Sequence, residues 1–421
     1  MMPEIATLSQ IPAVAERRIA LRVTPPAERA IRDGHPWLFA DSITRQSHEG
    51  NAGDLAVVFN RKGKFMAIGL YDPNSAIRVR ILHQGKPVAI DDVWFQGSIT
   101  AALNIRRPLE ATRTDGYRLV HGENDGLPGL IIDRYASVYV LKLYTAAWIP
   151  HLRMILDAFR VVGPKSKITP QRIILRLSRM VQEQKEALYG LVEGALLAGP
   201  MFDGRSPFQE NGIQFEAQVL RGQKTGFFLD QRDNRAMVEE LANGRSVLNL
   251  FAYTGGFSLY AARGGATKVI SVDSSRPALE AAVSHFQLNA HNRAIAAADH
   301  DIIVGDVFDV LRDMEQKGKQ FGMVIIDPPS FAKKKSEREA ALRAYERLIV
   351  MGLAVLRTGG ILVAASCSSQ VLADEFFALV HKVGMKNGRF LQEIRRTTHA
   401  IDHPIGYPEG AYLKCLFATA P

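Results

Sequence analysis

Cysteine is scarce in this chain of 421 residues, since only Cys367 and Cys415 occur. Two cysteines cannot build the disulfide framework of a small secreted protein, so a reducing cytoplasm is the expected compartment. No apolar run approaches the roughly 18 residues that a membrane span needs. Residues 1–20 also lack the basic start, apolar stretch and small-residue cleavage site of a secretory signal. The sequence therefore predicts a cytoplasmic protein without a membrane segment.

Acidic residues are also in short supply relative to basic ones. The chain has 52 lysines and arginines against 43 aspartates and glutamates, which gives a net charge of +9. A basic balance of this size permits binding to nucleic acid through phosphate contacts, although it carries no sequence preference. Hydrophobic residues make up 47% of the chain, a share typical of folded proteins. We expect two or three globular domains from the length and no bound metal.

The pattern of apolar residues changes twice along the chain. Over residues 19–92, short apolar runs separated by Gly and Asn turns predict a small β-barrel. Residues 93–205 combine a predicted helix with a β-meander and indicate a middle α+β domain. Over residues 206–421, strands and helices alternate, which is typical of a doubly wound α/β domain. Its strands are expected at 246–251, 268–273, 301–304, 322–327 and 360–366, with helices at 256–264, 277–291, 307–317 and 337–356, and a last strand at 411–419.

Three strand ends of the last domain predict a site for a nucleoside ligand. The first strand leads into a glycine-bearing turn, which lacks the full pattern that binds a diphosphate. Asp273 ends the second strand and can accept from two ribose hydroxyls, and Asp306 follows the third strand and can accept from an adenine amine. An adenosine ligand without a diphosphate fits better than NAD, so we predict S-adenosylmethionine as the cofactor. The alternative is that these are ordinary polar strand ends. The candidate cofactor-binding residues are Phe251, Tyr253, Thr254, Gly255, Asp273, Ser274, Asp306, Val307 and Asp327.

Two further strand ends bring a thiol and a carboxylate to the same edge of the sheet. Asp327 opens an Asp-Pro-Pro-Ser-Phe loop, and Cys367 follows the strand at 360–366. Methylation of carbon 5 of cytosine needs a thiolate that adds to carbon 6 and an acid near ring nitrogen 3. We therefore predict Cys367 as the nucleophile and Asp327 as the acid. Cys415, within an apolar strand, is expected to be a small buried hydrophobic residue.

The same loop has an alternative interpretation. Its carboxylate and carbonyls can bind an exocyclic amine while Phe331 stacks on a flipped base, which suits methylation at a base nitrogen and gives Cys367 no role. A third hypothesis is a non-catalytic RNA-binding assembly factor. Basic residues behind the loop can hold phosphates near the target nucleotide, or they form a solvated helix face. The candidate substrate-binding residues are Pro328, Phe331, Lys333, Lys334 and Arg338.

Several segments spread over nearly the whole chain together resemble one known family. They are His35–Phe39, Tyr117–Leu119, Gly122–Gly129, Lys224–Arg235, Ser366–Ser368, His403–Pro404 and Tyr407–Gly410. The family that they resemble is the bacterial ribosomal RNA large subunit methyltransferase I enzymes. The resemblance implies an RNA-binding PUA module, a Rossmann-like S-adenosylmethionine domain, and action on cytosine C5 in 23S ribosomal RNA.

By that resemblance, Asp230, Gln231 and Arg232 join the candidate cofactor-binding residues, and Cys367 takes the nucleophile position. Many RNA cytosine methyltransferases carry a second cysteine in the loop after the aspartate, where this chain has Ser330. Product release must then depend on another base, such as water or a nearby carboxylate. A related branch that methylates guanine lacks the Ser-Cys-Ser cysteine, so its presence here favours carbon chemistry. The expected partner is ribosomal RNA, and a homodimer is left open.

Overall fold

The computed structural model describes residues 6–166, 168–332 and 334–421. Contacts divide the chain into two compact units. Unit 1 runs up to Gly212 and includes 216–229 and Ile401–Tyr407, whereas unit 2 comprises 213–215, 230–400 and 408–421. The chain therefore leaves unit 2 late and returns to it within a few residues. The boundaries of the three predicted domains stay a prediction.

The first sheet of unit 1 forms from the short apolar runs near the start of the chain. Its elements are Ile19–Val23 (β1), Pro25–Arg32 (α1), Trp37–Phe39 (β2), Ile43–Gln46 (β3), Leu55–Phe59 (β4), Phe65–Tyr71 (β5) and Ile77–Gln84 (β6). Within the described residues the strand order is β2-β6-β5-β4-β1-β3. Alternate residues of β1 are buried, because successive side chains of a strand point to opposite faces. The buried face of β1 thus contributes Ile19, Leu21 and Val23 to the core.

The second sheet of unit 1 combines strands with two long helices. Its elements are Asp92–Arg106 (α2), Gly116–His121 (β7), Leu130–Tyr135 (β8), Val138–Leu143 (β9), Leu152–Lys165 (α3), Arg172–Leu177 (β10), Arg179–Gln182 (α4) and Leu196–Ala198 (β11). The strands lie in the order β11-β10-β9-β8-β7. A 3-10 turn that contains Pro150 precedes α3, which begins at Leu152. The indole of Trp148, fully buried in this core, donates to the carbonyl of Pro128 at 2.9 Å.

A buried guanidinium ties the late segment Ile401–Tyr407 into unit 1. Arg106 binds both carboxylate oxygens of Asp125, at 2.7 and 2.6 Å, and donates to the carbonyl of Asp402 at 2.9 Å. The carboxylate of Asp402 accepts from the backbone N–H of Arg118 at 2.9 Å. Replacement of the Asp402 side chain would take away the carboxylate that accepts from the backbone N–H of Arg118, which is costly in a buried place.

Unit 2 is built around a mostly parallel sheet with helices between its strands. The strands Arg205–Glu210 (β12) and Ile213–Gln218 (β13) precede it in the chain. Its own elements are Arg232–Leu241 (α5), Ser246–Leu250 (β14), Gly256–Arg263 (α6), Lys268–Asp273 (β15), Arg276–Leu288 (α7), Arg293–Ala297 (α8), Asp299–Val304 (β16), Val307–Gln316 (α9), Phe321–Ile326 (β17), Arg338–Ala354 (α10), Leu356–Ser366 (β18), Ala373–Lys386 (α11), Gln392–Thr397 (β19) and Lys414–Ala420 (β20). The described strands lie in the order β16-β15-β14-β17-β18-β20-β19. Strands β14 to β18 pair in parallel, and β20 is antiparallel to β18 and β19.

This sheet confirms the predicted doubly wound α/β architecture. The five expected parallel strands occur, and their ends differ from the prediction by at most four residues. Four of the elements listed for this sheet and its helices, α5, α8, α11 and β19, were not expected. In the part of the chain that the structure describes, no helix is both long enough and apolar enough to span a membrane.

Candidate active site

The carboxyl ends of the parallel strands bring the predicted site residues to one edge of the sheet in unit 2. Leu250 of β14 pairs with Ile326 of β17, and Ile326 pairs with Ala364 of β18. Asp327 follows β17 directly, and Cys367 follows β18. The chain order of the strands reverses between β14 and β17. Open α/β sheets bind ligands at such a reversal, so this edge is the candidate active site.

The turn after β14 has a strained backbone around a buried hydroxyl. Phe251, Tyr253 and Gly255 have positive φ angles of 58°, 48° and 76°. A Cβ on Gly255 would lie 2.6 Å from the Cβ of Ala282, so only glycine fits there. The buried hydroxyl of Thr254 has no hydrogen-bond partner among the described residues. Because a buried polar group without a partner is costly, this turn fits a polar ligand that supplies one.

Asp273 holds this turn in place. Its two carboxylate oxygens accept from the backbone N–H groups of Tyr253 and Ser275, each at 2.8 Å. Each carboxylate oxygen can accept two hydrogen bonds, so Asp273 can hold the turn and also accept from ribose hydroxyls. The neighbouring Ser274 is exposed. These residues fit the ribose end of S-adenosylmethionine.

Asp306 begins a helix in addition to any role toward the adenine. It is the N-cap of α9, and its carboxylate accepts from the backbone N–H groups of Phe308 at 2.9 Å and Asp309 at 3.3 Å. Asp306 is exposed, whereas Val307 is buried. The capping contact fixes the carboxylate at the edge of the site, and its predicted contact with an adenine amine stays a prediction.

The thiol of Cys367 lies against the loop that Asp327 opens. Its Sγ is 3.8 Å from the carbonyl oxygen of Pro328, and the side chain is half-buried. The amide of Gln231, itself 3% exposed, donates to Asp327 Oδ1 at 2.9 Å. The structure therefore brings together the predicted nucleophile, the predicted acid and one of the residues that the family resemblance supplied.

The other two residues from the resemblance are themselves buried. Asp230 Oδ2 accepts from the hydroxyl of Tyr412 at 2.9 Å, which places the segment before α5 beside the chain that leads into β20. Arg232 is 2% exposed, and its Nε lies 3.2 Å from a carboxylate oxygen of Asp233.

Sequence reasoning missed Lys414, which lies behind the cysteine. This residue of β20 pairs with Ser366 of β18 and is 2% exposed. Burial lowers the pKa of Lys414 to about 8, while the charges of Cys367 and Glu375 act to raise it. A signal was present in the sequence, because a lysine within the otherwise apolar run 412–417 is unusual for a strand in a core.

Tyr345 is a second residue that the sequence did not single out. It is buried on α10, and its hydroxyl accepts from the hydroxyl of Ser366 at 2.9 Å. Burial raises the pKa of Tyr345 above its ordinary value, so the phenol is neutral. We call the segment Asp327–Ala332 the reaction loop. The ring of Tyr345 supports this loop, because Phe331 packs edge-on against the Tyr345 ring with 5.1 Å between the ring centroids.

The candidate substrate-binding residues differ in their surroundings. Pro328 is buried and Lys334 is exposed. Arg338 binds the carboxylate of Glu375, with distances of 2.5 and 3.1 Å. Lys333 lies outside the described residues. Phe331 and Arg338 thus have contacts within unit 2, and their contacts with a substrate stay predictions.

Two further expectations concern cysteine and metal. Cys415 is fully buried, and burial raises its pKa well above the ordinary value, which confirms it as a small core residue. Across the described ranges, no cluster of three or more histidine, cysteine and acidic side chains could hold a metal ion.

The chain is similar to known methyltransferases in sequence and in structure. Residues 197–401 match a family model of S-adenosylmethionine-dependent methyltransferases, and residues 21–84 match a PUA-like domain. The chain is 47% identical over 411 residues to a ribosomal RNA large subunit methyltransferase of Deinococcus radiodurans, covering 96% of this chain and 98% of that protein. It is 37% identical to a ribosomal RNA large subunit methyltransferase I of Shewanella amazonensis, covering 95% and 99% of the two chains. The crystal structure of SMU.776 complexed with SAH is similar, with a TM-score of 0.79, 25% identity, and coverage of 95% and 99%.

Proposed function

Because the chain belongs to the family of S-adenosylmethionine-dependent ribosomal RNA large subunit methyltransferases, we propose that it methylates carbon 5 of a cytosine in 23S ribosomal RNA. The observation that carries this proposal is the position of Cys367. Its half-buried sulfur lies 3.8 Å from the carbonyl of Pro328, in the loop that Asp327 opens. A thiol beside a carboxylate suits attack on a pyrimidine better than methylation of an exocyclic amine, which needs no thiol.

The cofactor supplies an electrophilic methyl group, and the turn with Thr254, Asp273 and Asp306 is the proposed site for its nucleoside. Asp230, Gln231 and Arg232 are proposed to border the same site. The buried hydroxyl of Thr254 has no hydrogen-bond partner among the described residues, and a polar ligand bound at this turn can supply one.

The thiolate of Cys367 adds to carbon 6 of the cytosine, which makes carbon 5 nucleophilic. The ring gains charge at nitrogen 3 in this step, and Asp327 is proposed to hold a proton there. The amide of Gln231 holds the Asp327 carboxylate by an N–H···O bond of 2.9 Å. A carboxylate held in one orientation loses less freedom when it binds the base.

Methylation of carbon 5 would leave S-adenosylhomocysteine as the second product. Loss of the proton on carbon 5 then breaks the bond between sulfur and carbon 6, and the proton held at nitrogen 3 returns to Asp327. The hydroxyl of Ser330 donates to the carbonyl of Ala332 at 3.0 Å, so it serves the structure of the loop. Ser330 is therefore a poor candidate for the base. We propose that water or a carboxylate takes the proton from carbon 5.

The test compares Cys367→Ala with Cys415→Ala, a matched control that removes the buried cysteine. Each variant is incubated with S-adenosylmethionine and unmodified 23S ribosomal RNA, and the nucleosides are analysed by mass spectrometry. We expect 5-methylcytidine from the control and none from Cys367→Ala. Methylation by Cys367→Ala at a wild-type rate, or a product methylated on nitrogen, would favour the Asp-Pro-Pro-Ser-Phe loop acting alone.

A further inference from the structure

We propose that Lys414 is a positioning residue for Cys367: its buried ammonium holds the loop that carries the thiol and stabilises the thiolate. This inference rests on the proposed function, because it assumes that Cys367 acts as the nucleophile. Lys414 contacts backbone groups around the thiol and acts on the substrate only through them.

The geometry of Lys414 matches a charged ammonium. Its Nζ donates to the carbonyls of Ser368, Val371 and Tyr412, the last two at 2.6 and 3.1 Å. An ammonium has three N–H groups for these three acceptors, whereas a neutral amine has only two. The hydrogen bonds therefore favour the charged form in a place where burial opposes it.

Two of these acceptors belong to the segment that begins immediately after Cys367. Ser368 follows the cysteine directly, and Val371 lies three residues further along. The hydroxyl of Ser368 also donates to the carbonyl of Ala332 at 3.0 Å, which ties the segment to the reaction loop. Lys414 thus fixes the backbone that follows Cys367, and the thiol itself contacts the reaction loop at the carbonyl of Pro328.

The charges around Lys414 make the thiolate a natural counterion. Cys367 and Glu375 are the groups whose charges act on its ammonium, and the carboxylate of Glu375 is already bound by Arg338 at 2.5 Å. With a pKa of about 8, roughly nine in ten Lys414 side chains carry a charge at pH 7.

Buried Tyr345, whose hydroxyl accepts from Ser366, is neutral and supplies no charge near the thiol. An opposite charge nearby favours ionisation of a thiol. Lys414, a buried cation bound to the segment that follows Cys367, therefore favours the thiolate.

The test is the pH dependence of alkylation of the full-length protein by iodoacetamide, with each cysteine quantified by peptide mass spectrometry between pH 6 and pH 10. Lys414→Met removes the charge, and Lys414→Gln keeps an amide donor toward the carbonyls. Lys268→Met is the matched control, because Lys268 is an exposed, ion-paired lysine at the amino end of β15 in the same unit. Buried Cys415, next to Lys414 in the chain, is an internal reporter of folding.

We expect the alkylation midpoint of Cys367 to rise by about one pH unit in both Lys414 variants, which is roughly tenfold less thiolate at neutral pH. Lys268→Met should leave the midpoint unchanged, and Cys415 should stay unreacted in all proteins. An unchanged midpoint with Cys415 protected would overturn the proposal. If Cys415 reacts in Lys414→Met, strand β20 has opened in that variant. The Cys367 midpoint measured in Lys414→Gln then tests the proposal. Reaction of Cys415 in both variants would mean that Lys414 serves the fold alone, which also overturns it.

This measurement uses no RNA, so it separates the two proposals. An unchanged midpoint together with an inactive Cys367→Ala enzyme would reject the role of Lys414 and keep cytosine methylation. A shifted midpoint together with an active Cys367→Ala enzyme would keep the electrostatic pairing and reject the nucleophile.

Discussion

Replacement of Gln231 by alanine isolates the contact that holds the proposed acid. In the wild-type protein the buried amide donates to Asp327 Oδ1 at 2.9 Å and accepts from the amide of Asn234 at 2.5 Å. A hydrogen bond to a charged group contributes about 1.5–3 kcal/mol. Since about 1.4 kcal/mol is tenfold in rate, loss of the contact should lower turnover roughly ten- to hundredfold if the orientation of Asp327 matters for the chemical step.

The same change also removes an acceptor from Asn234, so a loss of stability must be told apart from a loss of orientation. Asn234→Ala is the matched control, because it removes the Asn234 contact and leaves the bond between Gln231 and Asp327. We expect both variants to lose about 1–3 kcal/mol of unfolding free energy, measured by urea denaturation. Only Gln231→Ala should lose most of its turnover at saturating S-adenosylmethionine and RNA. Turnover of folded Gln231→Ala within twofold of wild type would refute the argument.

Two more predictions concern the cofactor turn and the pH dependence of stability. Asp273→Asn replaces one of the two oxygens that hold Tyr253 and Ser275 with an N–H donor. Calorimetry should therefore show that S-adenosylmethionine binds at least about tenfold more weakly. Unchanged binding would contradict the proposed role of Asp273. His300 stacks on Phe286, and burial lowers its pKa to about 4. The unfolded chain therefore binds the proton more readily, and the free energy of unfolding should fall by about 1–2 kcal/mol as pH drops from 7 to 5. Urea unfolding of His300→Gln should show a weaker pH dependence. An equal pH dependence in the wild-type protein and in His300→Gln would contradict this prediction.

The sheet that carries the site could be predicted because its central strand, β17, is apolar throughout. All six residues of β17 are buried, so the run was visible in the sequence. Strand β19 could not be found this way, since five of its six residues are exposed. It forms because it pairs with β20, a contact that local sequence does not reveal. Helix α11 was missed although Phe376, Phe377, Val380 and Val383 repeat at helical spacing and are buried.

The candidate site was predictable at the level of strand ends, but its side-chain partners were not. The order of strands in an α/β sheet brings Asp327 and Cys367 to one edge, so their proximity follows from the fold class. The contact of Gln231 with Asp327 joins residues 96 positions apart. The contact of Lys414 with the segment after Cys367 depends on the register between β18 and β20. Register is set by packing of the whole sheet, so only the structure could show these partners.

The return of Ile401–Tyr407 to unit 1 has a consequence for biosynthesis. Arg106 donates a hydrogen bond to the carbonyl of Asp402, which lies 296 residues later in the chain. At about 5–20 residues per second, a ribosome needs roughly 15–60 s to synthesise that distance. Until then the buried guanidinium of Arg106 lacks the carbonyl of Asp402 as an acceptor, although most of unit 2 has already been synthesised. The two units therefore cannot mature strictly one after the other, because unit 1 is completed only after most of unit 2 has been synthesised.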